Sequence, residues 1–142
     1  MYQLAYLSFA SSLFNTDPDA GIDQILMESH KYNSNRDISG MLLFKGGVFL
    51  QLLEGERTEV HNLFGRIASD LRHEGIKVLV KQEVSERLYA NWSMGYAKVS
   101  QIDLESINSI IPWNDIIDKT KNRETIPNDK IFEIFKKFRF KV

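Results

Sequence analysis

Cysteine is missing from the chain. Its absence removes disulfides, thiol nucleophiles and thiolate metal sites at once, and it is compatible with a reducing cytoplasm, the compartment expected here. Long apolar runs are missing too. None approaches the roughly 18 residues needed to cross a bilayer, and residues 1–14 lack the basic start and apolar centre of a signal peptide, so no membrane association is expected. Charge of one sign is also lacking: 18 Lys and Arg against 19 Asp and Glu leave a formal charge of −1. That balance gives no electrostatic case for direct nucleic-acid binding. No repeat of about 20–50 residues and no low-complexity stretch is found. What remains is 142 residues, 43% hydrophobic and 26% charged, enough for one domain with its own core. Nine Phe and five Tyr suit tight packing and would equally suit a planar ligand.

Hydrophobic periodicity and turn residues order the elements. Tyr2 to Phe9 reads as a strand buried on both faces. A polar loop ends in Asp17-Pro18-Asp19, where either Asp can cap a helix and Pro18 fits its first turn. That helix runs from about Ala20 to Tyr32, with Ile22, Ile25, Leu26 and Ser29 inward and Asp23, Gln24, Glu28 and Lys31 outward. A strand from Ile38 to Lys45 meets its partner, Val48 to Leu53, through Gly46-Gly47. Two glycines there signal a hairpin with a primed turn. A second helix is expected over Thr58 to Glu74, capped by Thr58 and stopped by Gly75; Val60, Leu63, Phe64, Ile67 and Leu71 mark its buried stripe. Ile76 to Val84 alternates as a strand with one solvated face, and Met94 to Val99 reads as a fifth strand. The order is β-α-β-β-α-β-β. The fold class expected is α+β: a ferredoxin-like, five-stranded mixed sheet with two helices on one face and the first and third strands adjacent at its centre. Residues 1–99 form this domain and 100–142 a helical extension. In the extension a short helix holds Leu104, Ile107, Ile110 and Ile111 and ends at Pro112, and Asp118 to Pro127 reads as a polar linker. A last helix, capped by Asn128, puts Ile131, Phe132, Phe135 and Phe138 on one face and Lys130, Lys136, Lys137 and Arg139 on the other. The apolar face is expected to pack on the sheet or on another subunit.

Several polar residues sit where apolar ones would be easier to bury. Gln51 lies in a strand with apolar neighbours, and burying its amide without partners costs about 1–3 kcal/mol. Either a bulge or loop satisfies it, or Tyr6 on the neighbouring strand does, since a buried phenol also seeks a partner. Asn33 ends the first helix as a cap or turn residue, or offers its amide to a ligand between the helices. Arg66 and Asp70 are an exposed i, i+4 pair or line the mouth of a cleft. Asp70-Leu71-Arg72-His73 has no metal-ligand spacing. Trp92 and Met94 open the last strand; a methionine sulfur packs well on aromatic rings.

Taken together, Tyr6-Leu7-Ser8, Asn33 through Asp37-Ile38-Ser39-Gly40-Met41, Phe49-Leu50-Gln51-Leu52-Leu53-Glu54-Gly55, Asp70-Leu71-Arg72-His73 and Trp92-Ser93-Met94 resemble the BLUF family (blue light using flavin) in order and spacing. The resemblance spans about residues 1–99. It implies non-covalent FAD, with FMN and riboflavin as alternatives, held between the two helices. It implies that Tyr6 is the electron donor, that the Gln51 amide bonds flavin N5 and O4, and that Asn33 fixes the N3 and O4 edge. Ile25 and Ile67 would sandwich the ring, and Arg66 and Asp70 would contact the ligand. Trp92 and Met94 would sense the change at Gln51. Two features depart from the family pattern: Tyr32 stands where many members carry Asn or His, and the loop from Phe9 to Asp19 is longer than in the shortest members.

The expected activity is therefore a reversible, red-shifted photoresponse rather than catalysis. No catalytic base and no nicotinamide-binding glycine motif is present. With no output module recognised after the sensor, the signal is expected to pass to a separate downstream protein or through a homo-oligomer, a dimer or larger. The rival reading is a light-insensitive ferredoxin-like module that binds a flavin or another metabolite.

Overall fold

The computed structural model describes residues 1–138; Arg139, expected on the basic face of the last helix, lies outside them. The chain runs β1 (Tyr2–Ala10), α1 (Ser12–Asn15), α2 (Pro18–Ser34), β2 (Ser39–Lys45), β3 (Val48–Gly55), α3 (Arg57–Ala68), β4 (His73–Glu83), β5 (Gly95–Lys98), α4 (Gln101–Asn108), α5 (Trp113–Lys121) and α6 (Asn128–Lys137). The strands form one sheet in the order β4-β1-β3-β2-β5. β1 pairs antiparallel with both β3 and β4, β2 pairs antiparallel with β3, and β5 joins the edge parallel to β2. This is the α+β, ferredoxin-like mixed sheet expected, and β1 and β3 are neighbours inside it. Gly46 and Gly47, at φ 56° and 79°, make the hairpin turn between β2 and β3, a conformation that costs glycine little.

Side chains on a strand alternate between faces, and here both faces are buried. Leu4, Tyr6, Leu42, Phe44, Phe49 and Leu53 join Ile22 of α2 and Val60 and Leu63 of α3 in one core. Ala5, Leu7, Met41, Leu43, Leu50 and Leu52 join Ile107, Trp113, Ile116 and the buried residues of α6 in the other. The central strands are therefore nearly continuous apolar runs, as expected of strands covered on both sides.

The structure departs from the sequence reading at several places. α3 stops at Ala68, not Glu74; Leu71 is consequently 78% exposed rather than part of the stripe. Its N-cap is Glu56, whose carboxylate accepts the Thr58 and Glu59 amides at 3.1 Å; those two bonds hold its pKa below the usual carboxylate range. Gly75 lies inside β4 at φ 63°. A Cβ there would come within 3.0 Å of the Phe9 ring, so glycine serves the strand rather than a helix end. Of the residues read as a polar linker, only 118–121 are helical, forming the last turn of α5, an unexpected helix in which Trp113, Ile116 and Thr120 are buried. Pro112 and Pro127 cap α5 and α6, so Asn128 is the first residue of its helix rather than the cap. In α6, Ile134 is buried beside Ile131 and Phe135 while Phe132 is only partly covered. Among the described residues no helix is long and apolar enough to cross a membrane.

Candidate functional site

The register of the sheet builds the site. Tyr6 on β1 stands opposite Gln51 on β3, and Gln51 in turn stands opposite Leu42 on β2. Tyr6 and Gln51 both belong to the face covered by α2 and α3, and each is 4% exposed. The Tyr6 hydroxyl donates a short hydrogen bond to Gln51 Oε1. Gln51 Nε2 donates to Met94 Sδ at 3.2 Å. This uses one amide hydrogen and one lone pair of the amide oxygen, leaving the second of each for a ligand. Burial, reinforced by the Asp70 charge, pushes the Tyr6 phenol well above its ordinary pKa, because a phenolate in such a place is poorly solvated. Tyr6 is therefore a neutral donor across the physiological range.

Tyr6, Gln51 and Met94 line a cleft between α2 and α3, with Ile25 on one helix and Ile67 on the other. Its empty space, with the open mouth and adjoining solvent included, is about 810 Å³. Asn33, at the end of α2, is fully buried and also lines it. Its Nδ2 donates to the Ser93 carbonyl at 2.7 Å, but Oδ1 is buried with no hydrogen-bond partner among the described residues. A buried acceptor left unpaired is costly, so the site asks for a ligand that brings an N–H to this point.

The mouth is arranged differently from the expected Arg66–Asp70 pair. Asp70 lies beyond α3. It binds Arg72 through Nε at 3.0 Å and accepts the Arg72 backbone amide at 2.9 Å, while Arg72 Nη2 reaches Glu28 of α2 at 2.9 Å. Glu28, expected to face away, thus closes the cleft toward α3. Burial disfavours the Asp70 carboxylate, yet the hydrogen bonds and charge of Arg72 outweigh it and hold its pKa below the usual range. Arg66 instead lies over the Tyr32 ring at 4.3 Å, with Arg36 also over that ring at 3.7 Å; Tyr32 is thus a platform for two cations. His73 bridges Ser8 Oγ at 2.7 Å and the Ile67 carbonyl at 2.6 Å, tying β1 to the end of α3.

The structure brings together Tyr6, Ile25, Asn33, Gln51, Arg66, Ile67, Asp70 and Met94 around the cleft. It does not bring Trp92 there. Trp92 stacks on Tyr89, with ring centroids 5.6 Å apart, and packs against the core on the other face of the sheet. Gly95 permits this: a Cβ would lie 2.7 Å from the Trp92 ring. Sequence reasoning did not name Glu28, Arg72 and His73 as lining residues, and it marked Tyr32 only as a departure from the family pattern. For Arg72 the signal was Asp-x-Arg after a helix, where an Asp side chain can take the amide two residues on; for Tyr32 it was the family position that many members fill with Asn or His. Among the described residues no group of three or more His, Cys, Asp or Glu could hold a metal ion.

The donor set suits an oxidised flavin. The pyrimidine edge of the isoalloxazine ring offers one N–H between two carbonyl oxygens, which matches the orphaned Asn33 Oδ1 and the spare Gln51 N–H, and the flanking isoleucines suit its apolar faces.

Comparison with known proteins agrees with this chemistry. The family described as "Sensors of blue-light using FAD" matches residues 1–95. The blue light- and temperature-regulated antirepressor BluF of Escherichia coli strain K12 is 26% identical over 136 residues, covering 95% of this chain and 32% of that protein. The photoactivated adenylate cyclase subunit beta of Euglena longa is 34% identical over 105 residues, covering 71% of this chain and 11% of its own length. The chain thus spans about a third or less of these relatives. Among solved structures, BlsA in its photo-activated state superposes with a TM-score of 0.81 at 26% identity, covering 99% of this chain and 96% of the other. The dark-state structure of BlrB, a BLUF protein, superposes with a TM-score of 0.77 at 25% identity and the same coverage.

Proposed function

The chain belongs to the BLUF family of flavin-based blue-light sensors, and on that premise we propose that it holds FAD in the cleft between α2 and α3 and signals through the Tyr6–Gln51–Met94 hydrogen-bond chain. Asn33 would hold the ring's pyrimidine edge, Ile25 and Ile67 its faces, and Arg66 and Asp70 the polar remainder. When bound, the flavin supplies the blue absorption and an excited state that withdraws an electron. The residues around it supply the rest. Tyr6 keeps its proton against Gln51 Oε1 and can release it along that bond when it loses an electron, because a buried phenol gives up the two together more readily than it ionises. Gln51 has nearly the same shape after its amide rotates or tautomerises, yet donor and acceptor trade places. Two satisfied arrangements close in free energy are what a reversible switch needs.

The observation that carries this reading is the bonded chain from Tyr6 Oη through Gln51 to Met94 Sδ beside a cleft with an unpaired Asn33 Oδ1. The purified protein is expected to be yellow and to show a reversible red shift of the flavin band under blue light without added substrate. A colourless protein, or a bound flavin that does not respond, contradicts it. Chromatography of the released cofactor distinguishes FAD from FMN and riboflavin.

We further propose that the domain is not itself an enzyme and acts on a separate downstream protein, a reading supported by its match to a family described as sensors. Self-association through α6 has less support than the sequence suggested, since Ile131, Ile134, Phe135 and Phe138 are covered by the chain's own sheet core. A homo-oligomer would use a surface other than that buried stripe, and light scattering on dark and lit samples reads its size.

A further inference from the structure

Glu54 lies three residues after Gln51 on β3 and so points to the opposite face of the sheet. It is fully buried. A carboxylate wholly out of water is retained only where donors surround it, and four do. Its oxygens accept the Leu88 amide at 2.7 Å, the Tyr89 amide at 2.8 Å, Gln3 Nε2 at 2.6 Å and Ser39 Oγ at 3.4 Å. Arg87 extends the clamp to Ser39 Oγ at 2.9 Å and the Asp37 carbonyl at 2.7 Å. The segment held this way, residues 87–94, is the one that carries Met94 to Gln51.

Both ends of that segment have partners. At the cleft end, Met94 Sδ takes the Gln51 N–H and the Ser93 carbonyl takes Asn33 Nδ2. At the other end, the Tyr89 hydroxyl donates to the Phe135 carbonyl in the last turn of α6. Between them Tyr89 and Trp92 stack, and the Trp92 carbonyl accepts the Gly40 amide of β2 at 3.1 Å.

We propose that Glu54 and Tyr89 are positioning residues of the photoswitch: Glu54 holds residues 87–94 as one stiff segment, and the Tyr89 hydroxyl passes a displacement at Met94 to the end of α6. The inference rests on the flavin-sensor reading of the cleft. Its physical basis is the chemistry of sulfur. A thioether accepts a hydrogen bond and has none to donate, so when the Gln51 amide presents oxygen to Met94 the contact is lost and Met94 must move. A loose segment would absorb that motion. One anchored by two backbone amides to a buried carboxylate transmits it.

The test is amide hydrogen exchange on the full chain with flavin bound, in darkness and under continuous blue light, read over residues 131–138. Wild type is expected to show a light-minus-dark difference there. Tyr89→Phe keeps the ring and its stack on Trp92; it should show the full red shift at the flavin but lose the exchange difference. Glu54→Gln leaves the four donors facing a single amide oxygen and should lose the difference as well. If Tyr89 merely caps α6, the Tyr89→Phe variant raises exchange equally in light and dark and the difference survives, which overturns the proposal. An α6 that exchanges identically in both states in wild type, despite a normal red shift, overturns it too. A wild type with no flavin or no red shift rejects the sensor reading itself, a separate failure visible in the spectrum alone.

Discussion

Met94 gives the Gln51 amide a preferred orientation. Its sulfur can satisfy Nε2 but not Oε1, so in this arrangement the amide oxygen is directed to Tyr6. Met94→Leu preserves volume and removes the acceptor. The variant should keep its flavin and recover more slowly after illumination, by about fivefold, the rate equivalent of a net hydrogen bond of about 1 kcal/mol; unchanged recovery, followed at the flavin band, would deny Met94 this part. Asn33→Ala deletes the unpaired Oδ1 and the tie to Ser93. It should weaken flavin binding roughly tenfold or more, as expected when a polar group in the site loses its partner, and equilibrium dialysis reads it. Tyr6 has a pH signature. Its folded pKa lies above the ordinary phenol value of about 10 because it is buried. The stability it contributes is intact below that ordinary value and declines as pH climbs from there toward the folded pKa, since only the unfolded state then sheds the proton. Ultraviolet titration of the native protein should find Tyr6 silent, with Tyr6→Phe leaving the tyrosinate signal before unfolding unchanged. The residues of this site were legible as types and spacings. What was not legible was orientation: nothing in Trp92-Ser93-Met94 says which large side chain faces the cleft, because that depends on how Gly95 lets the chain turn.

At the scale of elements, strands and the helices over the cleft were readable because their apolar periods are strong and their turns carry glycine or a cap. The end of α3 was not. Helical period continues through Leu71, and only the capture of Arg72 by Asp70 shows why the chain leaves the helix and starts β4 at His73. α5 was missed because its exposed face is so polar that three buried positions, Trp113, Ile116 and Thr120, were outvoted. α4 is held by a reciprocal capping box between Ser100 and Asp103, at 3.0 Å and 3.1 Å. Ser100→Ala should therefore lower stability by about 1 kcal/mol in denaturant titration while leaving the red shift intact, since α4 packs on the face away from the cleft. A lost photoresponse in that variant would mean that the two faces are coupled more tightly than their separate cores suggest.

For the whole molecule, the sheet is the common wall of two cores, one open to a ligand and one closed by α4–α6. Removing residues 128–142 strips Ile131, Ile134, Phe135 and Phe138 from the closed core and uncovers the part of β4 on which α6 packs. The truncated chain should bind a hydrophobic dye and lose solubility; a truncated form as soluble and compact as the intact chain by scattering would mean that the tail does not seal the sheet. The open core holds the central claim, that Gln51 beside a bound flavin is the switch. The most direct measurement is the light-minus-dark absorption difference of wild type and Gln51→Leu at matched flavin occupancy. The account predicts a reversible red shift in wild type and none in the variant, while a Gln51→Leu protein that shifts and recovers like wild type contradicts it.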